Sequence, residues 1–206
     1  MNGNLVISTE ELFVLSQILK AKYLDYDYIA TMEDVMQNSS LKKKIIMGEL
    51  EKRGILEEDF MGDIEISDEI KTLLSPIFQG EAESDMRDGN IIHKFHFHEN
   101  HVTYVQLNGK ELIIKTGYKE QVEKLAKMLI SIDYDAKQQI VPKEVLSNLQ
   151  VTASVLLRNV VVGKTSNAME MIKINGAWHV GVDKTNSLVL DRESVKKICR
   201  QLLWEE

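Results

Sequence analysis

His93, His96, His98 and His101 are four of the five histidines in the chain and fall within one short stretch. Imidazoles are common metal ligands, and two of them at i and i+2 of a strand can chelate a divalent ion. Strand alternation puts His96 and His98 on one face and Phe95 and Phe97 on the other. A zinc site needs three or four ligands, and no further cysteine or HExxH pattern supplies them. The same stretch also reads as a strand with a phenylalanine core face and solvent-facing histidines. On that reading no metal is expected, and His96 and His98 are candidates for touching a partner.

Other chemistry is thinner. Gly163-Lys164-Thr165 ends like a phosphate-binding loop, but Asn159 stands where the first glycine belongs and a strand, not a helix, is expected to follow. No Ser/His/Asp or Cys/His arrangement has a recognisable local sequence. Cys199 is the only cysteine and sits on an apolar helical face, where a thiol acts as a small core residue. No catalytic residue, cofactor or enzyme activity is expected.

Charge offers a different function. Lys42, Lys43 and Lys44 open a predicted helix and Lys52 and Arg53 close it, the pattern of a helix entering a DNA major groove. Directly after it, from Glu57 to Glu69, stand Glu57, Glu58, Asp59, Asp63, Glu65, Asp68 and Glu69 with no Lys or Arg. A wing so acidic would be repelled by phosphates, and the whole chain carries a net charge of −7. Protein contact is therefore favoured over nucleic acid. Trp178, in a strand beside Val180 and Val182, reads as a core residue or as a partner hot spot.

Several elements must position these groups. The chain has 206 residues, 44% of them hydrophobic, enough for one large domain or two small ones. Its apolar runs are too short to span a membrane, its start lacks a signal segment, and one cysteine permits no internal disulfide. A cytoplasmic location is expected. Ser8 with Glu11 forms a capping box before a helix at 9–22 that turns Leu12, Leu15, Ile18 and Leu19 inward. Asp25–Tyr28 breaks it. Thr31 can cap a helix at 32–37, and Ser39 or Ser40 one at 41–53 that stops at Gly54. A small hairpin around Gly62 follows, then a helix capped by Ser67 that ends before Pro76. This order resembles a winged-helix domain over residues 1–78. Residues 79–90, polar and acidic, read as a linker or exposed loop.

Residues 91–130 and 155–204 read as two copies of one sheet-plus-helix unit. Strands are expected near 91–98, 101–107 and 111–115, then a helix at 118–130. After a connection at 131–142 and a turn or two at 143–149, strands are expected at 155–162, 168–174, 177–183 and 187–190, with Gly163–Asn167 a loop. Asn108-Gly109 and Asn175-Gly176 both follow alternating runs, a strong hairpin signal. Val122, Leu125, Ala126, Leu129 and Ile130 share their spacing with Val195, Ile198, Cys199, Leu202 and Leu203. The expected fold is α+β: a winged-helix-like start, then a mostly antiparallel sheet with helices on one side.

The stretch I-N-G-A-W-H-V, the acid-capped D-R-E-S-V-K-K-I-C-R-Q-L-L helix and the opening S-T-E-E-L-F-V-L-S-Q-I-L together resemble the EspG family, cytoplasmic chaperones of type VII secretion. The resemblance runs loosely from end to end. It implies a chaperone or adaptor that binds a secreted helical protein, covers its apolar surface and holds it soluble. A winged-helix transcription regulator and an acidic immunity-type protein that binds a toxin are the alternatives.

Overall fold

A computed structural model describes residues 4–32, 39–58, 61, 63–80, 82–161 and 164–204. The chain divides into two units, one of Met1–Glu83 with Lys94–Gly117 and one of Ser84–His93 with Tyr118–Glu206. Each is α+β with antiparallel strand pairs. Among the described residues no helix is long and apolar enough to cross a membrane.

In the first unit β1 (Leu5–Ser8) pairs with β7 (Glu111–Thr116), an edge strand that the apolar pattern did not announce. Leu5 and Ile7 point inward and Val6 outward. Ser8 ends the strand and caps α1 (Thr9–Ile18): its hydroxyl accepts from the Glu11 N–H at 3.1 Å, and Glu11 accepts from the Ser8 N–H at 2.6 Å. This is the expected capping box. The helix stops four residues short of the predicted end because Lys20 adopts φ 51°. Asp25 then caps α2 (Tyr26–Ile29), accepting from the Asp27 N–H at 2.6 Å. The helix predicted at 32–37 lies outside the described residues from 33 on.

Ser39 caps α3 (Ser40–Lys52), which ends at Gly54 with φ 67° as its sequence predicts. Two-residue strands β2 (Glu57–Glu58) and β3 (Ile64–Glu65) pair next; Gly62 between them lies outside the described residues. Ser67 caps α4 (Asp68–Gln79). The prediction that this helix ends before Pro76 is wrong. Proline there costs a backbone hydrogen bond, on the order of 3 kcal/mol, but Leu74, Ile77 and Phe78 around it are buried, and burying such side chains recovers about 1.5–3 kcal/mol each. Gly80 ends the helix at φ 64°, and a Cβ there would lie 2.6 Å from the Tyr23 side chain.

Most of the stretch expected as a linker or loop at 79–90 is instead a strand. Ala82–Asp88 form β4, with Glu83, Ser84, Asp85 and Met86 buried. The polar composition misled because its partners are distant in sequence: Arg158 Nε lies 3.1 Å from both Asp85 oxygens, and the Ser84 hydroxyl donates to the Leu203 carbonyl at 2.8 Å. β5 (Ile91–His98) and β6 (His101–Asn108) follow. The loops Gly89-Asn90, Glu99-Asn100 and Gly109-Lys110 recur every ten residues, and the first residue of each has φ of 60°, 51° and 60°. The strand order of the first unit is β1-β7-β6-β5.

The second unit adds α5 (Lys119–Leu129), β8 (Gln139–Pro142), α6 (Lys143–Leu146), β9 (Val151–Val161), β10 (Lys164–Ile174), β11 (Ala177–Gly181), β12 (Asn186–Val189) and α7 (Arg192–Leu203). Its order is β4-β9-β10-β11-β12-β8. Lys164–Asn167, predicted as loop, belong to β10, which bulges between Thr165 and Asn167. The helix faces are as predicted, with Val122, Leu125, Ala126 and Leu129 buried on α5 and Val195, Cys199, Leu202 and Leu203 on α7. The two Asn-Gly pairs are not equivalent. Asn108 pairs with Glu111, so Gly109-Lys110 form the turn; Ile174 pairs with Ala177, so Asn175-Gly176 form it. An offset of one residue exchanges the two faces of a strand.

Candidate functional site

β5 places His96 inside the first unit, not on its surface. The residue is 1% exposed, which corrects its assignment to a partner surface. α2 supplies the cover, and the Tyr28 hydroxyl lies 2.6 Å from His96 Nε2. On the same face of β5, Lys94 is fully buried. Its Nζ lies 2.7 Å from Asp25 Oδ2, 2.8 Å from Asp27 Oδ2 and 3.4 Å from Glu83 Oε1. Glu83 Oε2 in turn lies 3.5 Å from His96 Nδ1.

One ammonium cannot neutralise three carboxylates at this depth. Burial pushes Glu83 up to about 8, against the pull of Lys94 and with a hydrogen bond to Asp25 adding to the rise. Asp25 is pushed up by burial too, but the hydrogen bond from Glu83 and the charge of Lys94 hold it well below the usual carboxylate range. At neutral pH Glu83 therefore keeps its proton and donates it to Asp25. Burial and the Lys94 charge lower His96 to about 3, so the ring is neutral. It directs Nδ1–H toward Glu83 and accepts the Tyr28 hydroxyl proton at Nε2, a tautomer assigned from these partners. Burial pulls Lys94 down, but Glu83, Asp25 and Asp27 raise it above its ordinary value. The cluster holds a four-residue helix onto a strand. Sequence reading missed it, although Lys94 shares the strand face of His96 and His98 by simple alternation.

No group of His, Cys, Asp or Glu among the described residues is placed to hold a metal. His93 is buried, His98 half-buried and His101 exposed.

The five basic residues of the DNA reading are not one surface. Lys42, Lys43 and Lys44 are consecutive on α3 and so point about 100° apart. Lys43 Nζ stands 5.5 Å from the centre of the Phe13 ring, and Lys52 pairs with Glu49 at 2.6 Å. Arg53 pairs with Glu11 at 2.6 Å and donates to the Val6 carbonyl, on the open side of β1. It caps an edge strand rather than reaching for phosphate.

In the second unit Trp178 is 2% exposed. Its indole donates to the Leu129 carbonyl at 2.7 Å, and its backbone N–H donates at 3.0 Å to the Tyr134 hydroxyl, which donates at 2.6 Å to the Leu190 carbonyl. It is a core residue, and its assignment as a partner contact is corrected with that of His96. Cys199 is buried and its thiol is pushed up to about 12 by burial, so it is no nucleophile. One open feature of this unit is a groove of about 660 Å³ between the sheet and the segment from α6 to β9. Val145, Leu149 and Val151 of that segment are exposed.

No protein-family model matches the chain, and no curated protein sequence matches it. Its fold is similar to a solved structure of the Mycobacterium tuberculosis type VII secretion system chaperone EspG5 in complex with a PE25-PPE41 dimer, with a TM-score of 0.63, 8% identity and 98% of each chain covered. At that identity the likeness is one of fold.

Proposed function

We propose that this chain is a protein-binding chaperone or adaptor of the cytoplasm that holds a secreted helical protein for type VII export. The observation that carries the proposal is the shared fold over 98% of both chains with a chaperone solved together with its protein dimer. The chemistry fits the same role. The strongly shifted groups Glu83, His96 and Lys94 lie buried among themselves, where they organise the fold. Exposed apolar side chains such as Leu149, Val151 and Ile140 offer surface that a helical client would cover. On this reading the α3–β2–β3–α4 stretch is a winged-helix-like module turned to protein contact, and the two sheet-plus-helix halves are remnants of one unit.

The test is capture of the tagged full chain from its native cytoplasm after nuclease treatment, followed by size-exclusion chromatography and mass spectrometry. A secreted helical protein co-eluting in fixed ratio is the expected result. Specific DNA retained without nuclease, and no stoichiometric protein, overturns the proposal.

A further inference from the structure

The groove of the second unit has an unmet hydrogen-bonding demand. His179 lines it and is 4% exposed. β11 sets the ring opposite Ile172 of β10, on the sheet face turned away from Trp178. Burial lowers the pKa of His179, while a hydrogen bond to the Ile174 backbone works the other way. The ring is therefore neutral with one N–H. Nδ1 is buried and has no hydrogen-bond partner; with the ring proton on Nε2, the tautomer assigned here, it presents a lone pair. A buried acceptor left unpaired costs about 1–3 kcal/mol, a cost that an incoming N–H or O–H would remove.

A charge is left over at the same place. Lys143 also lines the groove. Its Nζ donates to the Asp183 carbonyl, a neutral acceptor, and would lie 3.5 Å from a Cβ built on Gly181. No carboxylate pairs with Lys143 among the described residues. Glu170 lines the groove too, but its Oε1 accepts from the Ser154 hydroxyl at 2.8 Å. The remaining walls include Leu146, Leu149, Val151 and Ile172.

We propose that this groove receives an aromatic residue of a partner protein that carries a ring N–H or O–H and has a carboxylate beside it, as a tryptophan or tyrosine next to an acidic group does. The ring lies on Leu146, Leu149, Val151 and Ile172, its donor meets His179 Nδ1, and the carboxylate meets Lys143. Apolar bulk with a single polar tip matches apolar walls around one buried ring nitrogen that lacks a partner. The assignment rests on the protein-binding reading above.

Three small probes test it on the full chain carrying ¹⁵N-labelled histidine. N-acetyltryptophan has ring, donor and carboxylate; N-acetyltryptophanamide lacks the carboxylate; N-acetylphenylalanine lacks the donor. The expected result is a saturable shift of the His179 Nδ1 resonance with N-acetyltryptophan, about two- to fivefold weaker binding of the amide, and no Nδ1 shift with the phenylalanine probe. Lys143→Ala should bring N-acetyltryptophan to the affinity of the amide and leave the amide unchanged. No saturable shift with any probe, or equal shift and affinity for all three, overturns the proposal. Stoichiometric capture of a helical client without probe binding overturns the groove alone. Probe binding without such a client supports the groove and overturns only the chaperone reading.

Discussion

Lys94 Nζ lies 2.7 Å from Asp25 Oδ2, a residue 69 positions away in the sequence, and neither side chain is more than 6% exposed. The pair ties β5 to the cap of α2, an element of four residues too short to hold itself together. Removing one partner leaves buried charge uncompensated. Lys94→Met should therefore lower unfolding free energy by about 3–5 kcal/mol, read as a fall in urea midpoint. A loss below about 1 kcal/mol would show the cluster to be wetter and weaker than its geometry implies.

Glu83 and His96 give the same cluster a pH signature. The folded pKa of Glu83 is raised from 4.5 to about 8. Its contribution is fully present below pH 4.5 and is lost as pH rises through 8. The folded pKa of His96 is lowered from 6.5 to about 3, so its contribution is present above pH 6.5 and lost as pH falls toward 3. Stability governed by these two groups should peak in mildly acidic solution. Urea midpoints measured from pH 5 to 9 should fall on the alkaline side in the wild type and flatten there in Glu83→Gln. A variant that keeps the wild-type alkaline slope would remove Glu83 as its source.

What could be read from sequence was local. β5, β6 and β7 follow from alternation and turn spacing, and α5 and α7 from one apolar face each. Ser8 and Glu11 announce their own capping box. The elements that escaped owe their form to distant partners. β4 looks like a linker until Arg158 meets Asp85 and the Ser84 hydroxyl meets Leu203. β1 and β8 are four-residue edge strands, too short for a period to show. His96 and Lys94 were legible as neighbours on one strand face, but nothing local says that Asp25, Asp27 and Glu83 arrive there. The groove residues were invisible for the same reason, since Lys143 and His179 are brought together only by the pairing of β8, β12 and β11.

Arg53 separates the two readings of the basic helix. Its guanidinium occupies the Val6 carbonyl and the Glu11 carboxylate, leaving the outer side of β1 blocked. Arg53→Ala should cost about 1 kcal/mol through lost hydrogen bonds and should expose an unpaired strand edge, which favours self-association. Light scattering against concentration would rise in Arg53→Ala and stay flat in Lys44→Ala. Equal behaviour of the two variants, with both losing affinity for duplex DNA, would restore the DNA reading.

Trp178 offers the converse separation, between core and partner contact. Trp178→Phe keeps an aromatic ring but removes the donor that satisfies the Leu129 carbonyl at the end of α5. That carbonyl is then left without its indole partner, at about 1–3 kcal/mol. The urea midpoint should drop with the slope unchanged, since the surface exposed on unfolding stays the same. A side chain 2% exposed cannot be touched from outside, so client affinity measured on the fraction that remains folded should match the wild type. Lost affinity at unchanged stability would mean that α5 and the sheet part on binding and that Trp178 becomes the contact its sequence neighbourhood first suggested.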